Sequence, residues 1–173
     1  MKNWRSLLTV LLTPAIAGSV VIGLAQPSAA STVNVSCLTT SEAPQVVAHA
    51  ARQDRSKQVI MLTFLPEYFS EQIAVQQCQT TAVTLQQLYE DGGAEYLASD
   101  TLNGLPTVCS VERRGMGCNS YGAQVLFTLN NTVDPSQALY DMLGSNFKQS
   151  ERPDPRTVSR IYTRIGTRGW WIF

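Results

Sequence analysis

Apolar and polar positions alternate with a period of two along much of this chain, which predicts strands; in two places the spacing turns helical. Residues 32–37 put Val33, Val35 and Cys37 on one side. After Pro44, the residues Val46, Ala48 and Ala50 oppose Val47, His49 and Ala51, which predicts a second strand. Asp54-Arg55-Ser56-Lys57 reads as a polar turn, and residues 58–65 form the most hydrophobic run of the body, a central strand. These three strands make a meander whose apolar run needs cover, so a helix on one side of the sheet is expected. Pro66 stops the third strand, and residues 67–79 read equally as loop or helical turn. From Thr80 or Thr81 a helix is predicted on Val83, Leu85, Leu88 and Tyr89, ending at Asp91-Gly92-Gly93.

The second half repeats the alternation. Residues 96–102 and 105–111 flank Asn103-Gly104, a dipeptide suited to the positive backbone angles of a tight hairpin turn. Pro106 lacks an N–H, so the returning strand should start at an edge or just after it. Residues 121–129 predict another buried strand. Asp134 then suits a helix N-cap and Pro135 the first helical position, with Ala138, Leu139, Met142 and Leu143 as the apolar face and Gly144 as the stop. The expected architecture is α+β: a small antiparallel sheet with about two helices over residues 31–147.

The chain ends differ from this body. Lys2 and Arg5 precede an apolar stretch at 7–24, and Gln26-Pro27-Ser28-Ala29-Ala30 offers small residues at 28 and 30. Residues 1–30 therefore read as a signal peptide cut after Ala30, with a retained membrane anchor as the alternative. Four cysteines follow, and an even count in an exported chain implies two disulfides. Three pairings are possible. Cys37–Cys78 with Cys109–Cys118 is favoured, because the second pair flanks the turn-prone Arg114-Gly115-Met116-Gly117. No CxxC occurs, so neither a metal nor another cofactor is expected.

Charge separates the body from the end of the chain. The whole sequence balances 13 basic and 13 acidic residues, and without residues 1–30 the count is 11 against 13. Nucleic acid is disfavoured as a partner, since phosphate tracking needs a clustered positive excess. With 44% hydrophobic and 15% charged residues the chain can support a core, which argues against disorder. Residues 31–147 carry a net −6, whereas residues 148–173 carry six basic side chains against two acidic ones. Pro153 and Pro155 break any helix there, and the β-branched residues that follow favour a strand with Arg156, Arg160 and Arg164 on one side. One reading is a basic, aromatic-ended extension resting on an anionic membrane through Arg156, Arg160, Arg164, Arg168, Trp170 and Trp171. The other is a strand whose arginines face solvent or pair with the acidic body.

Catalytic constellations are thin. His49 is the sole histidine and falls in an alternating strand, where a partly buried structural role is expected. Ser56 and Ser120 have no base nearby in sequence, and Glu67/Glu71 and Glu90/Asp91 show no sign of sharing a cleft. Gly92-Gly93 and Gly115-x-Gly117 lack the strand–loop–helix context of a phosphate cradle. A hydrolase with an unrecognised polar cleft remains the enzymatic alternative.

Cys78, the segment Asn103-Gly104-Leu105-Pro106-Thr107-Val108-Cys109, Cys118, the strand Val125-Leu126-Phe127-Thr128-Leu129, and then Asp134-Pro135 and Leu139 occur in a characteristic order. In these residues the chain resembles the cyanobacterial circadian oscillating protein domain family, over roughly residues 33–144. It departs from that pattern at Val35-Ser36 before the first cysteine and at Gln77 before the second. The resemblance implies an exported protein, membrane-associated in some members, with clock-linked expression and no known catalysis, substrate or cofactor. The expected location is the periplasm or thylakoid lumen, peripheral to a membrane. The expected role is non-catalytic, with an anionic membrane surface or an envelope protein as partner.

Overall fold

A computed structural model describes residues 32–52, 55–93, 95–130, 132–148, 152–154 and 160–166. The expected meander forms a three-stranded antiparallel sheet, β1 (Thr32–Leu38), β2 (Gln45–Arg52) and β3 (Arg55–Thr63), in the order β1-β2-β3. The polar turn expected at 54–57 mostly joins β3, and the pair Arg52↔Arg55 closes the hairpin. Register sets the faces: Val35, Ala48 and Val59 stand in one row and Cys37, Val46 and Leu62 in the next, pointing into the core. The outer row Asn34, His49 and Gln58 faces solvent.

α1 (Glu71–Glu90) covers the inner face. It begins nine residues before the predicted start, and Thr80 and Thr81 lie mid-helix instead of capping it. The buried stripe explains the discrepancy. Ala74, Cys78, Thr81, Ala82 and Leu85 are helically spaced, but mostly small or polar, so apolarity alone understates them. The expected end is found. Gly92 takes φ 73°, and the Gly92 and Gly93 amides donate to the Tyr89 and Leu88 carbonyls.

The remaining strands form a second sheet rather than extending the first. β4 (Tyr96–Leu102), β5 (Leu105–Val111), β6 (Gln124–Thr128) and β7 (Tyr162–Arg164) align antiparallel in the order β6-β5-β4-β7. Asn103 and Gly104 both have positive φ, 51° and 78°, as the hairpin required. Pro106 sits inside β5, a central strand, which differs from the edge position expected of it. Its carbonyl accepts from Leu129 on the β6 side, beyond the last ladder pair Thr107↔Thr128, so its missing N–H costs no ladder bond. β6 is shorter than predicted, and Tyr121 is fully exposed ahead of it.

α2 (Pro135–Met142) packs on β4 and β5, its first turn capped by the Asp134 carboxylate accepting from the Gln137 N–H at 2.8 Å. One hydrophobic core lies between the layers. Phe64, Phe69 and Phe127 meet there at ring-centroid distances of 5.2–5.8 Å, Phe127 edge to face with both others, joined by Met61, Leu85, Leu97, Leu139 and Ile165. The segment that follows α2 touches β3 through backbone. The Gly144 N–H donates to the Met61 carbonyl, Leu62 bridges Leu143, and a Cβ at Gly144 would overlap the Ile60 carbonyl. Both favoured disulfides are present, Cys37–Cys78 joining β1 to α1 and Cys109–Cys118 joining β5 to the loop that follows it.

Candidate functional site

The four-stranded sheet has one face in the common core and another onto which, among the described residues, the β5–β6 loop, residues 112–123, folds. On that second face Ala98, Cys109, Val111 and Cys118 form a separate small cluster, ringed by Tyr96, Met116 and Tyr162. The Cys109–Cys118 disulfide folds the loop down onto it.

Asp100 lies at the centre, 8% exposed, on the β4 face shared with Ala98. Its carboxylate is fully occupied. Oδ2 accepts from the Cys118 N–H at 2.8 Å, while Oδ1 accepts from the Thr101 N–H at 2.8 Å and from the Arg160 guanidinium at 2.6 Å. Burial pushes the Asp100 carboxyl upward, but the Arg160 bond and the two backbone N–H groups outweigh it and hold the group below its ordinary range. The Asp100 bond correspondingly raises the Arg160 guanidinium above its own ordinary value. Gly117 fits against this pair because it has no side chain: a Cβ there would lie 2.6 Å from Asp100 Oδ2 and 3.2 Å from Arg160 Nη2. Tyr162 adds a further link, donating to the Met116 carbonyl at 2.9 Å.

Residues 160–166 are thus built into the sheet. The Ile161 N–H donates to Ser99 Oγ, the Tyr89 hydroxyl donates to the Ile165 carbonyl, and Ile161 and Ile165 are buried. Burial and the nearby Glu95 raise the Tyr89 phenol well above its ordinary value, which keeps it a donor at all ordinary pH. Farther back, Arg152 pairs with Asp141 of α2 at 2.5 Å and its Nε donates to Gln137. Tyr68 donates to the same Asp141 carboxylate at 2.8 Å, and its phenol is pushed up to about 12 by burial and that bond.

The basic positions singled out from sequence divide accordingly. Arg160 meets an anion, but that anion is the chain's own Asp100. Arg164 is half-exposed, with Nη2 3.9 Å from Glu95 Oε2. Arg156, Arg168, Trp170 and Trp171 lie outside the described residues. The four cysteines are all in disulfides. His49 is exposed on the outer face of β2, not partly buried as expected, because strand alternation points it away from the core-facing Ala48 and Ala50. The residues directly across from it are Asn34 and Gln58, neither of them an acid or a nucleophile. Ser120 is occupied in its loop, where Oγ accepts from the Gly117 N–H at 3.0 Å. Among the described residues no group of three or more His, Cys, Asp or Glu could hold a metal.

Sequence reasoning missed Asp100. The only available signal was a carboxylate inside an alternating strand, Ser99-Asp100-Thr101, where burial demands a partner. A shallow groove of about 490 Å³ also runs between β1 and α1, lined by Val35, Cys37, Gln79, Ala82, Val83 and Gln86. No charged side chain contributes to it.

The family model described as circadian oscillating protein COP23 matches residues 35–167. That span takes in both sheets, both helices and Arg160 with its β7 strand. The chain belongs to the circadian oscillating protein COP23 family. Neither a curated protein nor a solved structure gives a significant match. The COP23 match ends just past Gly166, so the Asp100–Arg160 contact lies within the family domain. Two closed disulfides suit an oxidising, exported compartment, and no described helix is long and apolar enough to cross a membrane.

Proposed function

We propose that this protein serves in the periplasm or thylakoid lumen as a non-catalytic, disulfide-braced domain that contributes structure or binds a protein of the envelope. The pairing of all four cysteines carries the reading, together with the signal-like residues 1–30. The polar side chains support it as well. Asp100 is committed to Arg160, and Asp141 to Arg152 and Tyr68, within the fold, an arrangement that braces a structure rather than activates a substrate. Fractionation of cells with thiol alkylation before and after reduction tests this proposal. The expected result is a processed protein in the exported fraction, with four cysteines that alkylate only after reduction. Recovery in the cytoplasm with four free thiols would overturn it.

A second reading is favoured by the residues that follow the last described part of the second sheet. Gly166 donates to the Glu95 carbonyl, and Thr167-Arg168-Gly169-Trp170-Trp171-Ile172-Phe173 follows it. This short aromatic segment with Arg168, aided by Arg156 and the half-exposed Arg164, has the chemistry to rest on an anionic bilayer. Truncation after Gly166 removes that segment and spares β7. On this reading the truncated protein no longer sediments with anionic vesicles, and salt weakens the full chain's binding. Undiminished sedimentation of the truncated form rejects it.

A further inference from the structure

The β5–β6 loop and the C-terminal strand hold each other, and a single covalent bond keeps the loop in place. The loop folds onto the second sheet face because Cys118, in its middle, is tied back to Cys109 of β5. From that position Cys118 donates its N–H to one oxygen of Asp100, and Arg160 donates to the other oxygen. Met116 of the same loop accepts from Tyr162. The two Asp100 oxygens are therefore shared between the loop and the strand. β7 is three residues long and sits at the sheet edge with β4 as its paired neighbour. The three ladder positions are flanked by the Ser99 N–H on the Ile161 carbonyl and by the Ile165 and Gly166 N–H groups on the Glu95 carbonyl, a short hold at a sheet edge to which Arg160, Tyr162 and the burial of Ile161 and Ile165 add.

We propose that the Cys109–Cys118 disulfide is a redox latch: its reduction loosens the loop and releases residues 160–166, while α1 and the three-stranded sheet stay folded. The idea goes beyond the functional reading above and stands whether or not the chain end touches a membrane. The reductant is a dithiol. Its thiolate attacks Cys118 Sγ, since Cys118 is the more exposed residue of the pair, 5% against 0% for Cys109. The S–S bond breaks as a mixed disulfide forms, and Cys109 leaves as a thiolate that takes up a proton. The second thiol of the reductant then attacks the reductant's sulfur in the mixed disulfide, the bond to Cys118 breaks, Cys118 leaves as a thiolate that takes up a proton, and the reductant departs as an internal disulfide. Two electrons and two protons are thereby passed to the protein, which ends with two thiols. Since both sulfurs are nearly buried, attack requires the loop to lift, and the Arg160–Asp100–Cys118 chain opposes lifting. The coupling is reciprocal: losing the disulfide frees the strand, and losing the Arg160 contact exposes the disulfide. Cys37–Cys78 belongs to a different cluster, between β1 and α1, and is outside this linkage.

Two measurements test the latch. In Cys109→Ala/Cys118→Ala, amide hydrogen exchange at residues 161–166 should run about tenfold or more faster than in the wild type, with amides 74–85 of α1 changed by less than about twofold. In Arg160→Met, dithiothreitol should reduce Cys109–Cys118 about fivefold or more faster, measured by differential alkylation, with Cys37–Cys78 as the unchanged internal reference. Unaltered exchange at 161–166 overturns the proposal, as does equal acceleration of exchange in both sheets. If the double variant does not fold, the Arg160→Met measurement decides. A selective gain at Cys109–Cys118 upholds the latch, and equal rates or no gain reject it.

Discussion

Gly117 and Gly144 are both confined by their surroundings, but the neighbours differ in what they can yield. At Gly117 the obstructing atoms are the tips of Asp100 and Asn119, with Arg160 next. At Gly144 they are the backbone of Ile60 in the middle of β3. Side-chain tips can turn aside; a paired strand cannot. Gly144→Ala should therefore cost about 3 kcal/mol in urea unfolding, and Gly117→Ala about 1 kcal/mol, the two ends of the usual overpacking range. Asp100 adds a pH dependence. Its carboxyl is held below the ordinary range in the folded state, so its stabilising contribution is complete above the unfolded value near 3.8 and fades as pH falls through the lower folded value. In urea midpoints measured from pH 7 down to pH 2.5, the wild type should lose stability on acidification, and Asp100→Asn should lose visibly less. Local chemistry of this kind was only partly legible in the sequence. Asp134 and Asn103-Gly104 announce their roles because cap and turn depend on near neighbours. Asp100 does not, because beyond the adjacent Thr101 its partners lie 18 and 60 residues away.

At the scale of elements, local periodicity found most strands and the second helix, and it failed where burial used small side chains. The first nine residues of α1 bury Ala74 and Cys78, and they carry the glutamines Gln72, Gln76, Gln77 and Gln79 on the remaining turns, so the apolar signal faded there. β7 was foreseen as β-prone, but its place beside β4 depends on contacts that no local pattern encodes. One glutamine on that helix has a particular duty. Gln86 accepts from the Val35 N–H at 2.6 Å and donates to the Val33 carbonyl at 3.3 Å, so its carboxamide stands where a neighbouring strand's peptide group would be. It blunts the β1 edge, which would otherwise offer open hydrogen-bonding groups to another chain. Gln86→Ala should lower stability by about 1 kcal/mol. The same variant should also self-associate more strongly with concentration in sedimentation velocity. If its association matches that of the wild type, Gln86 is not protecting the edge.

Across the whole molecule, apolar periodicity and cysteine count were enough to foresee an α+β body with two disulfides, but not the division into two sheets. Antiparallel strands carry the same alternation in either sheet. What holds these sheets together is the shared aromatic cluster, with the exit of α2 bonded to β3 through the Gly144 N–H and the Met61 carbonyl, neither of which a residue type advertises. The two disulfides act at different ranges on this body. Cys37–Cys78, with a sequence separation of 41, closes a loop that contains β2, β3 and the start of α1, so it restrains the unfolded chain over the elements that build the main core. Cys109–Cys118, with a separation of 9, restrains only a hairpin loop. Chain entropy assigns roughly 4 kcal/mol to the first and roughly 3 kcal/mol to the second. Structure widens that gap in practice, because loss of the shorter bridge can be absorbed by local opening of the loop and β7 before the core is affected. Urea unfolding of the two double-alanine variants distinguishes these ranges. Cys37→Ala/Cys78→Ala should shift the midpoint of the single main transition and raise its urea dependence, since the unfolded chain becomes more extended. Cys109→Ala/Cys118→Ala should leave the tertiary signal of the α1 core nearly in place, while Trp-free probes placed on the loop report an earlier change. The opposite order of severity would mean that the second sheet, not the first, nucleates the stability of the domain.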